Sequence, residues 1–285
     1  MIRLEKRQVA VILSGLFFLD LFLGVSFFSP QIFSDGLPRV VFFDVGQGDA
    51  EMIEMPDGEG GFVRILIDGG RDRKIIDRLS EQTIPTPYID VVIATHPDYD
   101  HYGGLLPLFD VYEAGVFAGN GVMVEKSTYK KLLATAEKKA KQSISLRAGD
   151  KIRYREERID ILMPDIQALR AKGTNEAGIV MLYTSGTGRR VLFTADIGKE
   201  TEKRIIEKYP DLTVDILKVA HHGSRNSSAE VFVKKVAPKV AVIEVGKNNY
   251  GHPTSEVLEL LASSDALIYR TDLHKTKRIV LDIKP

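Results

Sequence analysis

Along the chain, apolar residues gather into short β-branched runs bounded by turn formers. Val40–Phe43, Ala50–Met55, Val63–Ile67 and Ile89–Ala94 read as buried strands, with Pro56-Asp57-Gly58 as a turn between the second and third. Further strands are predicted at Val116–Gly119, Asp150–Tyr154, Arg158–Met163, Ile179–Thr184, Arg190–Thr194, Asp215–Ala220, Val240–Val245, Ile268–Arg270 and Arg278–Ile283. Between them, helical spacing marks Lys74–Gln82, Leu105–Phe109, Ser127–Lys141, Glu200–Lys208 and Glu230–Val236, and Thr254 is placed to cap a helix running to Leu261. Pro107 is expected to break the second of these. Lysines on the outer face of Ser127–Lys141 read as a solvated surface. The strands fall into two sets, each followed by helices.

The N-terminus follows a different pattern. Arg3, Lys6 and Arg7 precede an apolar run from Val9 to Phe28, about 20 residues and long enough to span a bilayer. Asp20 interrupts the run at a costly depth. Two readings stand. One is an uncleaved anchor; the other is a signal peptide with Val9–Leu19 as its apolar region and Gly24 and Ser26 at the cleavage site. Residues 1–36 therefore read as a hydrophobic targeting or anchor helix plus linker, and 37–285 as the folded domain. Either reading puts that domain outside the cytoplasmic membrane, anchored or secreted.

Composition narrows the class. The 285 residues are 44% hydrophobic, enough for a sizeable core, and Lys+Arg and Asp+Glu balance at 39 each. No global basic excess advertises nucleic acid, although a local basic patch is compatible with neutrality. With no cysteine there are no disulfides and no thiolate metal ligands.

The chemistry is concentrated in Thr95-His96-Pro97-Asp98-Tyr99-Asp100-His101, a loop leaving the end of a predicted strand, where open α/β sheets place their sites. Of six histidines, two lie here, two form the pair His221-His222 and one is His252; only His274 falls outside a recognisable motif. Carboxylates mixed with imidazole suit zinc, manganese or iron. Asp68, at the end of the preceding strand, is either a turn residue or a support for this loop. Asp196 lies between a strand and a helix, as a metal ligand or an N-cap. His222-Gly223-Ser224-Arg225-Asn226-Ser227-Ser228, rich in hydroxyl and amide donors, has the composition of an anion-cradling turn.

His-x-Asp-x-Asp-His resembles the signature of the metallo-β-lactamase superfamily, in the variant where Asp replaces the second His. Together with Asp44-Val45-Gly46-Gln47-Gly48-Asp49 and Lys218-Val219-Ala220-His221-His222-Gly223-Ser224, it resembles the soluble hydrolase domain of the ComEC family of competence DNA-uptake proteins. The resemblance spans roughly Arg39 to Pro285. It implies an α+β, four-layer αββα sandwich and two divalent cations, zinc or manganese. His96 and Asp98 would hold the first cation. Asp100, His101 and one of the His pair would hold the second, and Asp196 would bridge them. His221 is favoured over His222 because it directly follows the strand, which leaves His222 to substrate or to support.

The resemblance also implies supporting roles for Asp68, Asp49 and Gln47. Many relatives carry a metal-binding His near Asn175; here Asn175 is the nearest residue to fill that gap. Asp100 would orient water, Lys247, His252 and Ser224 would meet developing negative charge, and His252 would also protonate the leaving group. Asn226 and Tyr250 complete the residues expected at the substrate. The implied activity is a metal-dependent phosphodiesterase, a nuclease acting on DNA outside the membrane. Hydrolysis of a phosphocholine ester, lactone or β-lactam, and a non-enzymatic binding role, are the competing classes. A competence role would call for partner proteins, and an uncleaved N-terminal segment would bring the membrane itself as a partner.

Overall fold

The computed structural model describes residues 2–3, 36–81, 87–171 and 173–284. The expected targeting helix, apart from Ile2–Arg3, lies outside these residues. Among the described residues no helix is long and apolar enough to cross a membrane.

In chain order the strands are β1 (Ile2–Arg3), β2 (Arg39–Phe43), β3 (Glu51–Pro56), β4 (Phe62–Ile67), β5 (Tyr88–Ala94), β6 (Glu113–Gly119), β7 (Ala140–Ser145), β8 (Lys151–Tyr154), β9 (Glu157–Met163), β10 (Val180–Thr184), β11 (Arg190–Phe193), β12 (Ile216–Lys218), β13 (Val240–Ile243), β14 (Leu267–Arg270) and β15 (Arg278–Asp282). The helices are α1 (Lys74–Ser80), α2 (Tyr99–Tyr102), α3 (Leu105–Val111), α4 (Ser127–Lys139), α5 (Ile166–Leu169), α6 (Lys199–Lys208), α7 (Glu230–Val236) and α8 (Ser255–Ser263). One sheet has the order β15-β2-β3-β4-β5-β6-β7, the other β1-β8-β9-β10-β11-β12-β13-β14.

Strand alternation explains the layering. In β2, Val40 and Phe42 point into an apolar layer shared with Ile161, Met181 and Phe193 of the facing sheet, while Val41 and Phe43 point outward to Ile75, Leu105 and Leu108 under α1 and α3. The second sheet repeats the arrangement: its outer face packs Leu182, Leu192 and Ile243 against Ile205, Phe232 and Leu261 of α6, α7 and α8. Covered on both faces, these strands are apolar at nearly every position, which is why they appear as continuous runs in the sequence. The result is the four-layer αββα sandwich. Phe42 and Phe193 stack across the inner layer, ring centroids 6.2 Å apart, each burying a side chain worth about 1.5–3 kcal/mol.

Several elements depart from the sequence reading. Pro107 does not break α3; it occupies the third helical position, where the missing N–H has no intrahelical partner to lose. Helix α4 stops at Lys139, and Ala140–Ser145 becomes an edge strand whose polar residues gave no strand signal. Arg278–Asp282 and Leu267–Arg270 close different sheets, not one. Thr254 occupies the N-cap position of α8 but makes no capping bond; its hydroxyl donates to the Gly223 carbonyl at 3.4 Å.

Both sheets end in parallel ladders, β4 to β7 in one and β11 to β14 in the other. The loops after β4, β5, β11, β12 and β13 carry Asp68, His96–His101, Asp196, His221–His222 and Glu244, and they meet at one edge of the sandwich.

Candidate metal centre

Asp68 organises the His-bearing loop. Its Oδ1 accepts the Thr95 backbone N–H at 2.8 Å, and its Oδ2 accepts the Thr95 hydroxyl at 2.6 Å and His101 Nδ1–H at 2.7 Å, all fully buried. Having donated its proton to Asp68, the Thr95 hydroxyl accepts from His96 Nδ1, 3.0 Å away. The hydrogen-bond partners thus assign protons to Nδ1 of both rings and turn both Nε2 atoms the same way. Asp68 also has a left-handed backbone, φ 55°, so it is a built support and not an ordinary turn residue. Close approach completes the shelf. A Cβ on Gly48, φ 136°, would stand 2.1 Å from the Asp100 carbonyl oxygen, the acceptor of Asp49 N–H.

Around these rings stand the carboxylates. His96 Nε2 lies 3.7 Å from Asp98, whose other oxygen accepts from Lys126 Nζ at 2.7 Å and Thr174 at 2.9 Å. His101 Nε2 is 3.2 Å from Asp196, and His222 Nε2 is 3.6 Å from Asp196 and 3.7 Å from Asp100. His222 Nδ1–H donates to the Glu244 carbonyl at 2.9 Å, which fixes its tautomer as Asp68 fixes the others. Asp100, His101 and His222 bring ligand atoms within 4.8 Å of one another. His221 is not in that group; it is partly exposed and reaches Asp196 at 3.7 Å. The geometry therefore gives His222 the inward position expected of His221. The reason is local: His221 and His222 both have positive φ, and the turn swings the second ring, not the first, under the sheets.

Electrostatics follow the packing. Burial pushes His96 down to about 4, and His101 adds to the effect, so its imidazole is neutral. Burial also opposes charge on His222, but Asp196 and Asp49 outweigh it and raise the ring to about 10; His101 is raised in the same way. Burial resists ionisation of Asp196 and Asp100. The neighbouring His101 and His222 on the first, and His222 and His101 on the second, hold both below the usual carboxylate range. The N-cap reading of Asp196 does not hold, since Gly198 takes that position on α6.

Outside this centre the remaining expected residues spread out. Asn175 and Asn226 line a cavity of about 310 Å³ with Asp196, Lys199 and His221. A wider groove of about 900 Å³, lined by Ile166, Gln167, Arg170 and Arg204, shares Glu176 and Glu200 with it. The His252 ring lies 5.6 Å from His221, with the Tyr250 ring tilted against its own at 5.8 Å. Burial, His221 and His222 push His252 below its ordinary value, which suits an acceptor better than the proton donor expected from the sequence. Lys247 is exposed and makes no ion pair among the described residues. Among the described residues Gln47 makes no side-chain hydrogen bond to a candidate ligand; its Oε1 accepts Gly246 N–H at 3.3 Å and ties two loops together. Ser224 is buried and accepts Asn226 N–H at 3.3 Å, so it faces inward.

The supposed anion cradle is filled from within. Ser227 Oγ donates to the Ile197 carbonyl, and the N–H groups of Ser228 and Ala229 donate at 2.7 and 2.6 Å to Glu202 of α6. Sequence reasoning also passed over Lys126, Thr174 and Glu244, and quoted Lys218 in a motif without giving it a role. The signal that could have found Lys218 is a charge inside an apolar strand.

The donor set fits divalent cations. His96, His101 and His222 Nε2 and Asp196 Oδ1 are buried without a hydrogen-bond partner, a state that polar atoms rarely keep unless something else satisfies them. Three imidazoles and the carboxylates of Asp98, Asp100 and Asp196 form a nitrogen-and-oxygen set of the kind zinc, manganese or iron takes.

Comparison with known proteins agrees. Residues 46–246 match the Metallo-beta-lactamase superfamily. The chain is 29% identical over 294 residues to ComE operon protein 3 of Bacillus subtilis (strain 168), covering 96% of this chain and 36% of that protein. It is 24% identical over 256 residues to Competence protein ComA of Neisseria gonorrhoeae, covering 88% and 33%. It thus spans about a third of the length of these relatives. Among solved structures, the metallo-beta-lactamase fold protein YhfI from Bacillus subtilis superposes with a TM-score of 0.60 at 15% identity, over 86% of this chain and 99% of that one.

Proposed function

The chain belongs to the metallo-beta-lactamase superfamily, and from that premise we propose that it is a metal-dependent phosphodiesterase, a nuclease acting on DNA outside the cytoplasmic membrane. The observation that carries the reading is the convergence of three bare Nε2 atoms and three carboxylates beside an open polar cavity. The competence protein among its relatives supports DNA as the substrate. Residues 1–36 are proposed as the leader or anchor, and 37–285 as the hydrolase.

His96 and Asp98 would hold one cation, Asp100, His101 and His222 a second, and Asp196 would lie between them. Bound there, two divalent cations would acidify water and draw negative charge off a phosphodiester. The chain's own groups do the rest. Asp100, held ionised, accepts a hydrogen bond from water and orients it. Asp68, directly for His101 and through Thr95 for His96, keeps both loop imidazoles in the ligand tautomer. Asn175, Asn226 and Lys199 line the cavity as donors to phosphoryl oxygens. The groove beyond, with Arg170 free of ion pairs among the described residues, would track the flanking strand without reading its sequence.

The test is turnover of the purified domain, loaded with Mn²⁺ or Zn²⁺, on single- and double-stranded DNA, RNA, bis-p-nitrophenyl phosphate and nitrocefin. Phosphodiester cleavage that weakens with added salt is expected. Lactam hydrolysis without any phosphodiester cleavage would overturn the reading.

A further inference from the structure

Behind the metal centre lies a group that the proposed chemistry does not use. Lys218, the last residue of β12, is fully buried between Leu217 and Val219. A lysine at such a position is rare and costly unless its charge is matched. Here it is matched: Lys218 Nζ donates to Asp49 Oδ2 and, at 3.2 Å, to the Ala195 carbonyl. These two partners connect it to three ligand-bearing segments.

Asp49 belongs to the loop between β2 and β3, in the opposite sheet. Its carboxylate lies 3.2 Å from His222 Nδ1 and 3.6 Å from His101 Nδ1. Ala195 has a left-handed backbone, φ 45°, immediately before Asp196, and its carbonyl also accepts His221 N–H at 3.1 Å. The Lys218 carbonyl in turn accepts the Thr194 hydroxyl at 2.6 Å. One ammonium therefore stands where both sheets, the strained peptide before Asp196 and the backs of two imidazoles come together.

We propose that Lys218 is a positioning residue of the metal centre, a cation tethered to the chain that holds Asp49 and the Ala195 peptide in place and, through them, His101, His222 and Asp196. The proposal rests on the reading of this site as a metal centre. It also accounts for the second group of buried acids. Asp49, Glu51 and Glu244 offer oxygens within 4.8 Å of one another, an arrangement able to hold a cation. The Lys218 ammonium already brings a positive charge to that place, so a divalent ion there would be repelled by it. An apolar residue of the same length would fill the volume and leave the sheets packed. It would release the two supports from each other.

Two variants test this. Lys218→Met removes the charge and keeps the length. Asp49→Asn with Lys218→Met removes the pair together, so no lone charge stays buried if the single variant does not fold. Folding is followed by circular dichroism, cation affinity by chelator competition with Mn²⁺ and Zn²⁺, and kcat and KM with bis-p-nitrophenyl phosphate. Both folded variants should bind cations about 10–100-fold more weakly, as loss of a ligand-orienting contact does. At saturating cation, kcat should fall with little change in KM. The double variant should regain the thermal stability of the metal-free protein without regaining affinity. Unchanged cation affinity in either folded variant overturns the proposal. A wild-type chain that binds no divalent cation would overturn the metal-centre reading as well, so the two failures are distinguishable.

Discussion

Asp68→Asn tests how the centre is assembled, because it changes one oxygen to NH2 with almost no change in volume. Asp68 is fully buried and accepts three hydrogen bonds, from Thr95 N–H, the Thr95 hydroxyl and His101 Nδ1–H. If the new NH2 replaces Oδ2, it becomes a donor where two donors already point. The Thr95 hydroxyl must then accept from it and donate to His96 Nδ1, and His101 Nδ1 must accept as well. Both rings are forced to carry their proton on Nε2, the atom meant for the cation. If the amide flips, the NH2 meets Thr95 N–H and leaves that buried donor unpaired, at a cost of about 1–3 kcal/mol. Either arrangement destabilises by roughly that amount, short of the total stability of a domain. The variant should fold; the first arrangement loses about 10–100-fold in cation affinity and turnover with it, whereas the flipped amide shows the loss of stability alone. Urea unfolding of the metal-free protein, chelator competition and phosphodiester turnover measure the three effects. A folded Asp68→Asn variant with wild-type affinity, rate and urea stability would refute the argument.

Other consequences can be checked in the same way. Asp100→Ala removes a proposed ligand and the water-orienting carboxylate together, and kcat should drop at least ~100-fold; near-normal turnover would remove Asp100 from the centre. Because His222 is raised to about 10, its protonation stabilises the metal-free protein below the unfolded value of about 6.5, and that stability is lost as pH rises toward 10. Cations must displace the same proton, so the gain in Tm on adding Mn²⁺ should grow across this window; a gain independent of pH would contradict the assignment. Glu202→Ala leaves Ser228 and Ala229 N–H without their acceptor and should cost about 2–4 kcal/mol by urea unfolding, with cation affinity preserved. Arg170→Ala should raise KM for an oligonucleotide several-fold and leave bis-p-nitrophenyl phosphate unaffected; equal effects on both substrates would argue against the groove as a strand path.

How much of this could be read from the sequence depended on whether the signal was local. Strands covered on both faces announce themselves as apolar runs, so β2, β5, β10 and β13 were legible. Strand β7 was not, because an edge strand with exposed Lys141 and Gln142 has no apolar face to show and simply prolongs the helical spacing of α4. The loop from His96 to His101 could be read because its residues follow one another. Choosing between His221 and His222 required the backbone turn that reverses their expected roles. The hydroxyl-rich stretch after Gly223 looked like a ligand site because composition cannot reveal that Glu202, from another helix, already occupies its donors. Lys218 entered the sequence reading only as part of a motif, because its meaning depended on Asp49, which lies 169 positions away in sequence.

The antiparallel pairing of β15 with β2 governs when this fold can be completed. Ile279 stands opposite Phe42, and Ile283 N–H reaches the Pro38 carbonyl at 2.8 Å, so the earliest strand of its sheet finds its outer neighbour in the last strand of the fold. During synthesis β2 can pair with β3 as soon as the hairpin leaves the ribosome, yet its other edge stays open until Arg278–Asp282 emerges. An open edge of that kind recruits foreign strands. The closing ladder, which joins positions separated by almost the whole domain, is also the slowest sort of contact to form. A nascent chain arrested just short of Arg278 would hold every proposed ligand and still lack the strand that shields Val41 and Phe42 from unwanted partners.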